Sequence, residues 1–323
     1  MVPSATVAHG STPAADSGKG FAESVCVPFL LGARNADGGW PYRPGAASAV
    51  EPTAWCLLAL GKFDPGSEVL AAGGRWLVNA QNADGSWPQR PGTPPGSWVT
   101  AVAGLALVAL GGPEAAIANA GRRLVRSDTA EAGWRIRLGR LLLRSKRVVE
   151  QDSSLRGWSW TPQTTSWVEP TAASLIFLHH LPAVMAPAEA ATRRRMGEAL
   201  LYDRMCPAGG WNLGNPKVYG VEGIPQTGPT AWALLALQEH ADREGNRRSL
   251  AWLEANAGAM KGPSSLALAH LALEACGRRR ESLERELSLQ FGAHRFLDNV
   301  LGYAQAAFAL RPGPDVFRWS PQR

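Results

Sequence analysis

The sequence predicts an all-α protein in which outer and inner helices alternate around a closed ring. The architecture is an α/α toroid (α6-α6 barrel) of six outer and six inner helices. Three observations carry this. One motif recurs at fixed spacing: Trp40 leads after eleven positions to Glu51-Pro52-Thr53-Ala54, and Trp158 leads by the same interval to Glu169-Pro170-Thr171-Ala172. A Thr-Ala step opens a segment that is apolar nearly all round in four places, at Thr53, Thr100, Thr171 and Thr230. Such segments read as helices buried on every side. Looser copies start near Ser264-Ser265 and run roughly over 301–310. Amphipathic segments alternate with them, over roughly 20–34, 65–82, 113–127, 187–205, 245–257 and 278–292. A pair of this kind cannot bury its apolar face alone, so pairs stack side by side. Six pairs with fully apolar inner helices close into a ring; an open solenoid is the alternative.

The joints follow from local chemistry. Asn35-Ala36-Asp37-Gly38-Gly39-Trp40 and Asn82-Ala83-Asp84-Gly85-Ser86-Trp87 end outer helices. Asn, Asp and Gly there supply turn and left-handed conformations, and the Trp covers the turn. Pro52, Pro170, Pro229 and Pro263 fall in the first turn of inner helices, where a missing N–H costs nothing. The residue two before each Thr is Glu51, Trp98, Glu169 or Gly228. The repeat puts these four at equivalent places, near inner-helix N-termini on one rim.

The 323 residues and 45% apolar content suit one domain with a sizeable core. That domain is expected over 20–310, with a flexible tail at 1–19 and a C-terminal tail at 311–323. Residues 1–19 carry no charged start before an apolar stretch, which argues against a secretory signal. Cys26, Cys56, Cys206 and Cys276 form no CxxC pair, and read as the reduced thiols of a cytoplasmic protein. The longest apolar run, Trp98 to Leu110, is too short to span a membrane. The chain is therefore expected to be soluble or to sit on one membrane face. The net charge of +6 is modest, and part of it lies in a basic insertion at 134–150. There Arg135, Arg137, Arg140, Arg144, Lys146 and Arg147 interleave with Leu141, Leu142 and Leu143. A basic amphipathic helix fits an anionic membrane surface or a diphosphate, and equally an ordinary solvated face. The patch is short and nucleic-acid-binding motifs are missing, so nucleic acid is not an expected partner.

Glu51 and Glu169 are the candidate catalytic residues. A carboxyl in an apolar cavity has a raised pKa and stays protonated, as a general acid must. A carboxylate at a helix start does the opposite, since the N-terminus favours the anion. Seven aromatic residues near inner-helix starts are candidate substrate-binding residues: Trp55, Trp98, Trp167, Phe177, Tyr219, Trp232 and Tyr303. Ring faces stabilise cations; core packing is the competing use. His179-His180 ends the third inner helix, where cations complement the dipole.

The pattern Arg75-Trp76-Leu77…Gln81…Gly85-Ser86-Trp87 resembles the QW motif of the squalene–hopene cyclase and oxidosqualene cyclase family. Helix, turn and Trp followed by Pro-Thr-Ala also resembles the β subunits of protein prenyltransferases, which share the toroid. The resemblance covers most of residues 20–310. It implies a class II terpene cyclase-like enzyme (an isomerase or lyase) that encloses a polyprenyl or triterpenoid chain in a central apolar cavity, without a cofactor. Cyclases of that family carry Asp-x-Asp-Asp, commonly followed by Thr-Ala, and the central acid protonates an alkene. This chain has no Asp-x-Asp-Asp and no class I Asp-Asp-x-x-Asp. Glu51 and Glu169 fall within the family's acidic window, but Pro52 and Pro170 stand where a second acid is expected. The resemblance thus implies a proton donor without its carboxylate partner. Full cyclases have two helical domains, and this chain has length for one. Two alternatives stay open: a non-catalytic toroid that binds a lipid or protein partner, and a protein-prenyltransferase β-like subunit. The second needs zinc, and Asp203, Cys206 and His270 do not match that family's spacing, so no metal is expected.

Overall fold

The computed structural model describes residues 18–130, 151–152, 154–260, 262–313 and 315–319. The expected basic insertion at 134–150 and nearly all of the N-terminal tail lie outside the described residues. The outer helices are α1 (Gly18–Phe21, a π turn at Ala22–Cys26, then Val27–Gly32), α3 (Glu68–Asn79), α5 (Glu114–Arg126), α7 (Ala190–Asp203), α9 (Glu244–Asn256) and α11 (Glu281–His294). The inner helices are α2 (Val50–Gly61), α4 (Ser97–Ala109), α6 (Val168–His180), α8 (Thr227–Ala236), α10 (Pro263–Ala275) and α12 (Val300–Leu310). Each inner helix packs against the next, and α12 packs against α2, so the ring closes. The open solenoid is excluded.

The recurrent Trp and Thr explain how each joint is held. The backbone N–H of Trp40, Trp87, Trp158 and Trp211 donates to the hydroxyl of Thr53, Thr100, Thr171 and Thr230 respectively, at 2.8–3.0 Å. Each indole N–H donates to a carbonyl in the last turns of the preceding outer helix: Leu30, Leu77, Leu124 and Leu201, at 2.6–2.9 Å. Those carbonyls lie near helix C-termini, where intrahelical donors run out. All four indoles are fully buried, so one side chain both fills the joint and pins the end of the preceding outer helix through its N–H. Gln81 has the same kind of role, donating to the carbonyls of Gly85 and Ala116 and so tying two repeats together. Thr171→Val is expected to cost about 1–3 kcal/mol in urea unfolding, because it strands the buried Trp158 N–H. An unchanged midpoint would remove the threonine from this account.

The rim at the inner-helix N-termini is stitched between repeats. The N–H of Val50 donates to Gln89 O (3.0 Å), that of Val168 to Leu213 O (3.1 Å), and that of Val300 to Tyr42 O (3.0 Å). The last bond joins the final repeat to the first. In each case the acceptor lies two residues after a joint Trp. A two-residue hairpin, β1 (Lys217–Val218) with β2 (Val221–Glu222), extends from this rim. Its turn, Tyr219-Gly220, has positive φ at both positions (51° and 79°), the geometry that matches strand twist.

The opposite end of the ring is closed by the segment after α12, expected from sequence as a tail. Phe317 is fully buried between inner helices. Lys62 Nζ pairs with Asp315 at 2.9 Å, Arg318 with Glu274 at 2.7 Å, and the Trp319 ring stacks on His179 at 3.7 Å.

Candidate active site

Inner-helix register defines the lumen. Counting from each N-cap, position 2 is Glu51, Trp98, Glu169, Gly228, Ser264 and Leu301. Position 6, one turn deeper on the same face, is Trp55, Val102, Ala173, Trp232, Leu268 and Gln305. Trp55 and Trp232 sit on α2 and α8, which are opposite in the ring, yet their rings meet at 6.2 Å. That contact is possible only if this face points to the centre. Position 2 is therefore the mouth and position 6 the floor. Every position-2 side chain except at Gly228 keeps accessible surface, whereas the position-6 residues are buried.

The floor is aromatic. Trp55 stacks on Phe317 (5.3 Å, nearly parallel), and Trp232 and Phe308 meet the same Phe317 edge-on at 5.8 and 5.5 Å. At the mouth, Trp98 meets Trp160 edge-on at 5.2 Å. Glu51 and Glu169 share the mouth. Both are partly buried there. Burial pushes the Glu51 carboxyl up to about 8, with the charge of Glu169 adding to the rise. Burial pushes Glu169 up to about 7. Desolvation thus prevails over the helix N-terminus at both positions.

Glu51 has a partner that the motif did not reveal. The Tyr42 hydroxyl donates to Glu51 Oε2 at 2.5 Å, and Gln89 Nε2 donates to the Tyr42 oxygen at 3.1 Å. With Oε2 accepting, the proton of the neutral acid resides on Oε1. The Tyr42 bond favours the ionised form and partly offsets burial, which makes Glu51 a stronger acid than burial alone allows. Tyr42 and Gln89 each lie two residues after a joint Trp, as do Trp160 and Leu213. That register, applied beside the Thr register, was the available signal. Glu169 leans over the bare Gly228, where a Cβ would stand 3.6 Å from its Oε1.

Of the aromatic residues singled out from sequence, the structure brings Trp98 to the mouth and Trp55 and Trp232 to the floor. It does not bring the other four to the lumen. Trp167 is the α6 N-cap, off the lumen-facing register. Phe177 is fully buried between α6 and α4, filling the space left by Gly104. Tyr303 is buried against α1, stacked on Phe29 at 3.7 Å, with its hydroxyl donating to Arg295 O. Tyr219 is 78% exposed at the hairpin tip. Among the described residues, Glu198, Glu239 and His240 could converge on a metal ion. They lie beyond the other end of the inner helices, and Arg194 already lies 3.4 Å from Glu239. Asp203, Cys206 and His270 do not form such a group.

No protein-family model matches the chain, and no curated protein matches it either. Solved structures do. A protein from Actinoplanes superposes with a TM-score of 0.60 at 19% identity, over 91% of this chain and 98% of that one. The type II terpene cyclase MstE from Scytonema superposes with a TM-score of 0.58 at 16% identity, over 91% and 98%. A glycosidase superposes equally well, TM-score 0.58 at 10% identity, over 91% and 96%. The fold is thus an all-α toroid like that of terpene cyclases. The glycosidase shows that such a ring carries more than one chemistry, so function has to be argued from the site.

Proposed function

We propose that this protein is a class II terpene cyclase-like enzyme acting on a polyprenyl or triterpenoid chain held in the lumen. The observation that carries this is a carboxylic acid, Glu51, kept neutral at the mouth of an aromatic-floored chamber. Protonation of an alkene needs such an acid, and the Tyr42–Gln89 pair orients it in place of a second carboxylate. The Oε1 proton passes to a substrate alkene carbon, leaving Glu51 ionised and a carbocation on the chain. Ring closure moves the cation inward past Trp98 and Trp160 towards Trp55 and Trp232, whose faces stabilise it. Glu169, on the same rim and with a pKa near neutrality, takes a proton from the part of the cyclised cation that remains at the mouth, and the net reaction is an isomerisation. The structural likeness to MstE supports this reading, since that cyclase has been captured with geranylgeranyl dihydroxybenzoate.

A lipid-like substrate is best drawn from a membrane surface. No described helix is long and apolar enough to cross a bilayer. The exposed Tyr219, Val221 and Ile224 of the hairpin project from the mouth rim and are suited to shallow contact. The test is incubation of the purified protein with all-trans polyprenyl substrates of graded length, without added metal or cofactor, and mass spectrometry of the products. Cyclised isomers are expected. The filled aromatic floor favours a second reading, a non-catalytic toroid whose shallow cup holds a lipid. Bound isoprenoid extracted from the protein without any turnover would support it instead.

A further inference from the structure

We propose that the lumen floor contains a hydrogen-bonding subsite, made by Trp55 and Gln305, for an oxygen-bearing end of the substrate, so that the ligand is a prenyl alcohol or a related oxygenated chain, not a pure hydrocarbon. The inference rests on the lumen being the substrate chamber, as proposed above, but not on Glu51 being the acid. Both residues occupy position 6, on adjacent helices α2 and α12. Phe308, one turn from Gln305 on the same helix, meets the Trp55 ring at 5.9 Å, which holds the two residues at one depth. Trp55 is 1% exposed and Gln305 5% exposed. The Trp55 indole N–H and the Gln305 side-chain carbonyl are both buried without a hydrogen-bond partner.

An unmet buried donor and an unmet buried acceptor are each costly, and native interiors rarely leave them so. Phe308 and Phe317 carry no polar atom, and Gln305 is the one side-chain acceptor at position 6. The contrast with the structural tryptophans is direct. Trp40, Trp87, Trp158 and Trp211 all spend their indole N–H on a backbone carbonyl, while that of Trp55 is free. A hydroxyl has the chemistry to serve both groups, being donor and acceptor in one. It accepts from Trp55 Nε1 and donates its own proton to Gln305 Oε1. Such a group at the floor directs the hydrocarbon tail of the chain towards the mouth.

The test compares all-trans farnesol with all-trans farnesene, delivered from cyclodextrin and followed by isothermal titration calorimetry. The wild-type protein is expected to bind the alcohol about tenfold more tightly, the worth of one well-made hydrogen bond. Gln305→Leu and Gln305→Met replace the amide by apolar side chains of similar size and remove the acceptor. Both are expected to abolish the preference while leaving farnesene affinity within about twofold, and Gln305→Met carries the test should Gln305→Leu misfold. Equal wild-type binding of the two ligands, or a preference untouched in both variants, overturns the subsite. Binding of neither ligand overturns it together with the chamber. A Glu51→Gln protein that keeps the preference for farnesol supports the subsite whatever becomes of turnover.

Discussion

Replacing Glu51 by Gln is expected to lower turnover by about 10²- to 10⁴-fold, the range that a positioned general acid supplies, and to leave the fold intact. Glutamine matches the neutral acid in shape and still accepts from Tyr42, so the loss isolates the proton. Glu169→Gln should cost less, because Glu51, left ionised by the first step, can take the final proton. Tyr42→Phe separates positioning from donation. Loss of the Tyr42 bond removes the influence that favours ionised Glu51, so the carboxyl becomes a weaker acid. The rate then falls about tenfold, and the alkaline limb of the pH profile moves upward. Steady-state rates with a substrate that wild type cyclises decide it. Full activity in Glu51→Gln would eliminate Glu51 as donor and leave the cyclase reading without its acid.

The fold was legible because its signals are periodic. Apolar segments opened by Thr, proline in the first turn and a Trp after each of the first four outer helices all repeat, and the four Trp–Thr pairs make the same bonds. The pairing of Thr53 with Trp40 is the thirteen-residue interval of the motif expressed as a hydrogen bond. The mouth was legible for the same reason: Glu51, Trp98 and Glu169 share one register position, and the ring delivers them to one place. The remaining site residues were hidden because their signal depends on contacts between repeats. Tyr42 reaches Glu51 from the loop that precedes α2, and Gln89 reaches Tyr42 from the next repeat. The floor depends on Phe317, which arrives from beyond the last repeat and obeys no period. Aromatic residues chosen for lying near helix starts divided according to facing: Trp55 and Trp232 are on the lumen stripe, while Phe177 and Tyr303 sit on stripes that pack against neighbouring helices.

Stability should fall as pH rises through neutrality, the reverse of a protein held by paired carboxylates. Glu51 and Glu169 have folded pKa values of about 8 and about 7, well above the ~4.3 of an unfolded glutamate. Folding therefore favours their protonated forms. The contribution is fully present below about pH 4.3, declines as pH rises, and is exhausted once pH exceeds about 8. Each unit of difference corresponds to about 1.4 kcal/mol, so the pair together is worth several kcal/mol, released in steps that the two groups share. The acid side is limited by another group. Burial lowers His179 to about 4, so its contribution is present above about pH 6.5 and lost as pH falls towards 4. Between about pH 4.3 and 6.5 the two glutamates lose more than the one histidine gains, so these three groups together favour the acid end of that interval. Urea unfolding at pH 6 and pH 9 is expected to show wild type several kcal/mol weaker at the higher pH, and Glu51→Gln/Glu169→Gln nearly level between them. A double variant that loses as much stability as wild type over that interval would show that the two carboxyls ionise freely in the folded ring. The mouth would then be wet, and neither glutamate could hold the proton that alkene protonation needs.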